Sequence, residues 1–300
     1  MTQISNLTTQ ELSNWLTQAA KLAKTGKLPD YIPLLQENNP NLLAVCLLSI
    51  DQKIKTEGDI NKIFPLMSII KPFLLLYVLS QFGQESIFKK VGRKPSKYPF
   101  NSVKQIYLDQ GFPRNPMINS GAITLASLLP GTDGQSRCNN LQKWLNNYGN
   151  CNLFLDEFML ESVASLPNMN NYIIVQELMD KGHITDPDQA LDSYNHICCL
   201  SGTITDLAKL GLLLAKCPDS LSQENCLIVR EIMTTCGLYE ASADFAQQVG
   251  LPTKSGVSGA ILSIIPEQGT IACYSPPLNA QGNSVASLFM IQKIAQWLNN

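Results

Sequence analysis

Phe64-Pro65-Leu66-Met67-Ser68-Ile69-Ile70-Lys71 is the stretch around which the chain is organised. It places a hydroxyl and an amine three residues apart in an apolar setting, and on a helix that spacing puts both side chains on one face. A serine becomes a good nucleophile when a base removes its proton, and a lysine can be that base where burial lowers its pKa. The stretch therefore predicts the start of a helix that carries a nucleophile, Ser68, and a base, Lys71.

The same spacing occurs a second time, at Ser86 and Lys89, so spacing alone does not identify a site. Lys90 follows directly, and clusters of charge usually mark solvated helix faces. We interpret this second copy as an exposed helix surface. The first copy needs support from other parts of the chain.

The composition argues against several classes of protein. The chain has 300 residues, 45% hydrophobic and 15% charged, with a formal net charge of −2. This length allows a substantial core. The slightly negative net charge does not favour binding to nucleic acid, which is itself negatively charged. The longest apolar runs, 42–48 and 73–79, are too short to span a bilayer. The first residues lack the pattern of a signal peptide, so we expect a cytoplasmic protein that binds neither nucleic acid nor membrane.

The cysteines and histidines offer little metal chemistry. The chain has nine cysteines, an odd number, and no Cys-x-x-Cys spacing, which predicts free thiols in a reducing compartment. The two histidines, His183 and His196, stand apart, so we expect no metal site. A Ser-His-Asp triad is possible only through these two histidines. We interpret His196 as structural, because a lysine base is available.

Hydrophobic periodicity indicates strands near both ends of the chain and helices between them. The predicted strands lie at 42–50, 53–57, 254–265 and 270–274. The predicted helices include 8–23 with a Thr8 capping box, one from Ser68 to about residue 82, 206–215 capped by Thr205, and 284–298. Residues 83–114 are predicted to be loop-like. One antiparallel sheet drawn from both ends and covered by the first and last helices would give an α/β (α+β) fold.

This distribution predicts one domain over residues 1–300 with two parts. An α/β subdomain would comprise about 1–85 and 250–300, and a helical subdomain would comprise about 86–249. Lys254-Ser255-Gly256 lies in the second α/β segment. Lys-Thr-Gly accompanies Ser-x-x-Lys in β-lactamases and penicillin-binding proteins. Small residues there let a strand edge approach a ligand, and its N–H groups could form an oxyanion hole with the N–H of Ser68.

Longer motifs along nearly the whole chain support a narrower resemblance. They include Asp30-Tyr31-Ile32-Pro33, Gly92-Arg93-Lys94-Pro95-Ser96, Asn115-Pro116-Met117-Ile118-Asn119-Ser120-Gly121, Cys236-Gly237-Leu238-Tyr239, Lys254-Ser255-Gly256-Val257 and Ser275-Pro276-Pro277-Leu278. Through these motifs the chain resembles the serine-dependent glutaminases. The resemblance implies a β-lactamase/DD-peptidase-like fold, with an antiparallel sheet flanked by helices and an added helical subdomain.

The resemblance also implies the reaction and the residues that perform it. L-glutamine would be hydrolysed to L-glutamate and ammonia through an acyl-enzyme on Ser68, in a homodimer or homotetramer without cofactor. Lys71 and Tyr239 would activate Ser68, and the N–H groups of Ser68 and Val257 would hold the oxyanion. Substrate contacts would come from Tyr31, Asn119, Glu161, Asn168, Tyr194 and Tyr239.

The chemistry of these side chains fits a free amino acid. Glu161 suits the substrate ammonium, while asparagine and tyrosine can bind the carboxylate without competing for the charge of Lys71. Counting seven residues from Glu161 favours Asn168 as the substrate asparagine. The apolar pattern of the following helix favours Asn171 instead, and both stay open.

Two other functions are compatible with the motifs. The first is a β-lactamase or peptidase-like serine hydrolase, which a chromogenic β-lactam assay would detect. The second is a non-catalytic glutamine-binding protein of the same fold, which would bind glutamine without releasing ammonia. The intact set of Ser68, Lys71 and Lys254 favours an enzyme over a binding protein.

Overall fold

The computed structural model describes residues 3–299. In chain order the α-helices are α1 Thr9–Ala23, α2 Pro33–Gln36, α3 Ile70–Phe88, α4 Val103–Leu108, α5 Asn119–Ala126, α6 Gly134–Gly149, α7 Glu157–Ser165, α8 Met169–Asp180, α9 Pro187–Cys198, α10 Ile204–Ala215, α11 Gln223–Cys236, α12 Ser242–Val249 and α13 Val285–Leu298. The strands are β1 Ala44–Ser49, β2 Ile54–Gly58, β3 Phe64–Pro65, β4 Phe154–Leu155, β5 Leu200–Gly202, β6 Thr253–Ser255, β7 Ala260–Ile265 and β8 Gly269–Tyr274. Short 3₁₀ turns lie at Ile4–Asn6, Met67–Ile69 and Tyr239–Ala241.

The main sheet has five antiparallel strands in the order β2-β1-β8-β7-β6. The two ends of the chain therefore share one sheet, as the sequence predicts. Helices α1 and α13 pack together on one face of the sheet, and α10 packs on the other. This antiparallel sheet flanked by helices confirms the expected α/β (α+β) class.

Burial on both faces explains why the central strands contain continuous apolar runs. In β1, Val45 and Leu47 face the core shared with α1 and α13, whereas Cys46 and Leu48 face the larger core on the opposite side. Alternate side chains of a strand point to opposite faces, so a strand covered on both sides needs apolar residues at every position.

A second, three-stranded sheet in the order β3-β5-β4 fixes the start of the Ser68 segment. Phe64 pairs with Gly202 and Pro65 with Ser201. The N–H of Leu66 then donates to the carbonyl of Leu200 at 2.8 Å. This anchor directs the chain into the 3₁₀ turn that contains Ser68 and then into α3.

The first and last helices begin as the sequence predicts. Thr8 accepts the N–H of Glu11, whose carboxylate accepts the N–H of Thr8, so the capping box of α1 is confirmed. Ser284 caps α13 by accepting the N–H of Ser287. None of the helices in residues 3–299 is long and apolar enough to cross a membrane.

Three predicted elements differ from the structure. The 83–114 region is not all loop, because α3 continues to Phe88 through a kink at Gly83 (φ 74°) and Ser102 caps α4. The cap of α10 is Thr203, because Asp206 completes a capping box with that residue rather than with Thr205. The run at 254–265 is two strands, separated by a turn that needs the positive φ of Gly259 (101°).

The prediction that every cysteine is a free thiol is wrong for one pair. Cys217 and Cys226 form a disulfide that joins the segment after α10 to α11, with Cα atoms 6.2 Å apart. The other seven cysteines are free and buried. Sequence spacing did not reveal the pair, because only the packing of α11 on α10 brings the two thiols together.

Candidate active site

Ser68 lies in the 3₁₀ turn directly before α3, with 6% of its surface exposed. Met67 precedes it with a φ of 48°, a left-handed conformation that side-chain-bearing residues rarely adopt outside sites where the surroundings enforce it. Pro72 is the third residue of α3, where the missing N–H would have had no intrahelical partner. The helix therefore begins early enough to place Ser68 and Lys71 within one turn.

Lys71 is completely buried and has only neutral hydrogen-bond partners among the described residues. Its Nζ donates to Asn119 Oδ1 at 2.8 Å and to the carbonyl of Met117 at 3.2 Å. No carboxylate within residues 3–299 forms a salt bridge with it. Burial therefore lowers the pKa of Lys71 to about 8, so that a useful fraction is a neutral amine near neutral pH.

Asn119, the first residue of α5, is the centre of a buried polar network. Its Oδ1 accepts both Lys71 Nζ and the hydroxyl of Tyr194, the latter at 3.0 Å. Its Nδ2 donates to Asn171 Oδ1 at 2.8 Å. These contacts fix the amide orientation, so the oxygen of Asn119 faces the amine of Lys71.

Tyr239 begins the 3₁₀ turn Tyr239–Ala241 and is also left-handed, with a φ of 59°. Its hydroxyl donates to the carbonyl of Ser255 at 3.4 Å, and its ring packs on Phe100 with centroids 4.9 Å apart. Burial raises the pKa of Tyr239 to about 12, and hydrogen bonding with Ser68 opposes that rise. The phenol therefore stays protonated at neutral pH and is close enough to Ser68 to exchange a hydrogen bond.

The structure brings the two sequence motifs into contact. A Cβ on Gly256 would lie 2.8 Å from the carbonyl oxygen of Leu66 and 3.1 Å from Cγ1 of Ile69. Only a residue without a side chain fits there without displacing its neighbours. The turn between β6 and β7 therefore lies directly against the Ser68 segment.

A cavity of about 170 Å³ opens beside Ser68. Among the predicted site residues, Tyr31, Ser68, Asn119, Asn168, Tyr194 and Val257 line it. Lys71 and Tyr239 lie behind this wall, where both are buried and linked to the lining residues. A cavity of this size accommodates a small molecule.

Glu161 is the predicted residue that the structure places apart from the others. It is exposed on α7 and is absent from the described residues that line the cavity, although Val163 and Ala164 of the same helix line it. Asn168 caps α8 by accepting the N–H of Asn171 and also lines the cavity. Asn171 lines the cavity too, and it is buried.

Several cavity residues were not predicted from the sequence, and Phe100 and Cys198 are two of them. Phe100 lies in the region predicted to be loop, and Cys198 lies one turn after Tyr194 on α9. The four-residue spacing from Tyr194 is the signal that could have found Cys198, because it places both side chains on one helix face.

The structural interpretations of Ser86 and His196 agree with the structure. Ser86 is exposed, and the neighbouring Lys89 forms an exposed ion pair with Glu85 at 2.6 Å. His196 Nδ1 lies 2.9 Å from the carbonyl oxygen of Asp192 on its own helix. No group of three or more metal-ligating His, Cys, Asp or Glu side chains occurs in the part of the chain that the structure describes.

Comparison with known proteins identifies close relatives. The sequence model of the family described as Glutaminase matches residues 26–300. A glutaminase of Synechocystis sp. is 44% identical over 294 residues, which cover 97% of this chain and 90% of that protein. A glutaminase of Shewanella loihica is 34% identical over 294 residues, with 96% of each chain covered.

Solved structures agree with the sequence comparison. A probable glutaminase called YbaS superposes with a TM-score of 0.89 at 31% identity, with 98% of each chain covered. The Bacillus subtilis glutaminase YbgJ superposes with a TM-score of 0.87 at 26% identity, covering 97% of this chain and 98% of that one. That structure is a covalent complex with 5-oxo-L-norleucine, formed by reaction with 6-diazo-5-oxo-L-norleucine.

Proposed function

This chain belongs to the glutaminase family and hydrolyses the side-chain amide of L-glutamine, and we propose that the reaction proceeds through an acyl-enzyme on Ser68. One observation carries this proposal. Lys71 is completely buried without a carboxylate partner, in the same helical turn as Ser68, and its pKa is lowered to about 8. A lysine in that condition can remove a proton from a serine at physiological pH.

In the acylation step, neutral Lys71 removes the proton of the Ser68 hydroxyl as Oγ attacks the amide carbon. The N–H groups of Ser68 and Val257 hold the resulting oxyanion, because the contact at Gly256 keeps the β6–β7 turn against the Ser68 segment. Tyr239 passes its hydroxyl proton to the leaving nitrogen and recovers a proton from the Lys71 ammonium, so ammonia departs and a glutamyl ester remains on Ser68. Neutral Lys71 then removes a proton from the water that attacks the ester, and the resulting ammonium returns that proton to Oγ as glutamate leaves.

Substrate recognition would divide between an ammonium end and a carboxylate end. Glu161 is proposed to bind the ammonium, which would bring its exposed side chain toward the cavity. Tyr31, Asn119 and Tyr194 are proposed to bind the carboxylate. Asn168 belongs to the proposed set, but geometry favours Asn171 as the deeper contact, because Asn171 is buried and accepts the amide N–H of Asn119.

The covalent route is supported by the Bacillus subtilis relative, whose structure contains a norleucine analogue bound covalently. The corresponding experiment here is incubation with 6-diazo-5-oxo-L-norleucine followed by peptide mass spectrometry. We expect the adduct on Ser68 and none on Ser86, and we expect Ser68→Ala to release no ammonia from glutamine. Ser86→Ala is the matched control and should keep kcat within about twofold, as for other surface substitutions. Full activity in Ser68→Ala would disprove the acyl-enzyme.

The cellular setting and assembly are further parts of this proposal. Seven free, buried cysteines are compatible with a cytoplasmic location. Exposed apolar side chains, including Phe158 (78% exposed) and Met169 (66% exposed), support a homodimer or homotetramer. We also propose the division into an α/β part at about 1–85 and 250–300 and a helical part at about 86–249. Light scattering coupled to size-exclusion chromatography tests the assembly.

A further inference from the structure

A second buried lysine lies beside the site and has no part in the steps above. Lys254, the middle residue of β6, has no exposed surface. No carboxylate in residues 3–299 forms a salt bridge with it. Its Nζ donates to the carbonyl of Ser255 at 2.6 Å and to that of Gly237 at 2.9 Å. Burial of a lysine amine is unfavourable, because it disfavours the charged form. The hydrogen-bond partners of Lys254 therefore indicate its role.

The contacts of Lys254 all converge on Tyr239. Gly237, whose carbonyl it binds, precedes Tyr239 by two residues, and the N–H of Ser255 donates to that same carbonyl at 3.3 Å. The amine also lies 4.3 Å from the centroid of the Tyr239 ring. The Tyr239 hydroxyl donates to the Ser255 carbonyl, which is the second acceptor of Lys254.

The backbone at this point needs such support. Tyr239 has a φ of 59°, and a residue with a side chain adopts that conformation only where its surroundings enforce it. Asn283 adds a further tie, since its Oδ1 accepts Ser255 Oγ at 2.5 Å and its Nδ2 donates to the carbonyl of Leu238 at 3.5 Å. The Tyr239 backbone and ring are therefore attached to the edge of the main sheet.

We propose that Lys254 is a positioning residue that holds the Tyr239 hydroxyl in reach of Ser68, by tying the chain entering Tyr239 to β6 and by supporting the ring. This inference rests on the proposed role of Tyr239. Lys254 itself does not touch the substrate, since it is absent from the described residues that line the cavity. It also needs no positive charge, because a neutral amine still has two N–H groups for the two carbonyls.

Burial and the nearby amine of Lys71 both lower the pKa of Lys254 well below its ordinary value. That direction favours the neutral amine, which keeps its N–H groups for the two carbonyls. Methionine has nearly the shape of lysine without the donors, so Lys254→Met removes the tie with little change in volume. Because misplacement of a catalytic group by about 1 Å can cost about 100-fold, we expect Lys254→Met to lower kcat by about tenfold or more.

The matched control is Lys55→Met. Lys55 also donates to two main-chain carbonyls, those of Ser5 and Leu7, but it lies on β2, at the opposite edge of the same sheet. The same chemical change there should leave kcat within about twofold, as for changes away from special features. Thermal unfolding of both variants reports whether either one is simply less stable. Lys254→Gln provides a folded variant if Lys254→Met does not fold; its amide nitrogen lies one bond nearer the backbone than Nζ, so it cannot hold both carbonyls at their present distances.

The readout that separates positioning from stability is a double-mutant cycle with Tyr239→Phe. If Lys254 acts through Tyr239, kcat of the double variant should equal that of Tyr239→Phe alone. The KM of the double variant for glutamine should also lie within about twofold of the KM of Tyr239→Phe. Two results would overturn the positioning role. The first is a kcat of the double variant that falls below that of Tyr239→Phe by the same factor as Lys254→Met lowers kcat in the wild type. The second is a normal kcat in Lys254→Met or Lys254→Gln. A normal kcat in Tyr239→Phe would instead remove Tyr239 from the proposed mechanism, which is a distinct result.

Discussion

Replacing Asn119 by aspartate tests directly whether Lys71 is the base. Asn119 Oδ1 lies 2.8 Å from Lys71 Nζ, so Asn119→Asp places a carboxylate against the amine with almost no change in shape. The hydroxyl of Tyr194 can still donate to that oxygen. The carboxylate favours the protonated form of Lys71, which is the form that cannot accept the serine proton.

The distance between the new carboxylate and Lys71 Nζ sets how far the pKa of Lys71 should rise. At an effective dielectric constant of about 20, two unit charges 2.8 Å apart interact by about 6 kcal/mol. Desolvation of the new carboxylate reduces this gain, and measured shifts from an adjacent opposite charge are about 1–3 pKa units. We expect the pKa of Lys71 to rise from about 8 by about two units. At pH 7 the neutral fraction would fall from about one tenth to about one thousandth, a loss of about 100-fold.

The assay is ammonia release from glutamine, measured as kcat/KM between pH 6 and 9. In the wild type, kcat/KM should rise about tenfold per pH unit below pH 8 and bend near the pKa of Lys71. In Asn119→Asp it should keep rising through pH 9 without a bend. Altered substrate binding changes the height of this curve but not the position of its bend.

Asn171→Asp is the matched control, because it introduces the same charge one hydrogen bond farther from Lys71. We expect a smaller upward shift of the bend there, since Coulomb interactions weaken with distance. A bend that stays at the wild-type pH in Asn119→Asp would refute Lys71 as the group that limits the rate at low pH.

Three further predictions concern single residues of the site. Lys71→Arg should be nearly inactive although it keeps a positive charge, because arginine does not deprotonate in proteins; substantial ammonia release would require another base. Glu161→Gln should cost about 2 kcal/mol of transition-state stabilisation, measured as a lower kcat/KM for glutamine, since it removes a charge-assisted contact to the ammonium. An unchanged kcat/KM would exclude Glu161 from substrate binding. Gly256→Ala should lower kcat by about tenfold or more with a smaller effect on KM, because its Cβ would meet Leu66 at 2.8 Å and move the Val257 N–H; an unchanged kcat would argue against that oxyanion contact.

The sequence by itself determined those features that depend on short-range patterns. The capping box at Thr8 and Glu11 is a four-residue signal, and the structure forms it as expected. The continuous apolar run of β1, which is buried at every position, and the apolar run before Ser68 likewise follow from local order along the chain. The long motifs sufficed to identify the family, because several segments rich in Asn, Gly and Pro are not required by generic packing.

Only the tertiary structure decided which residues act on one another. The hydrogen bond from Lys71 to Asn119 joins residues 48 positions apart in the sequence, and the one from Asn119 to Asn171 joins residues 52 positions apart. No local pattern could therefore reveal that network. The two Ser-x-x-Lys copies have the same spacing, yet Lys71 is completely buried and Lys89 is exposed. Burial, and with it the pKa of a lysine, is a sum over neighbours contributed by distant segments. Lys254 is a second example. Its residue type is visible in the sequence, but its contacts with the Gly237 carbonyl and the Tyr239 ring form only when β6 and the end of α11 pack together.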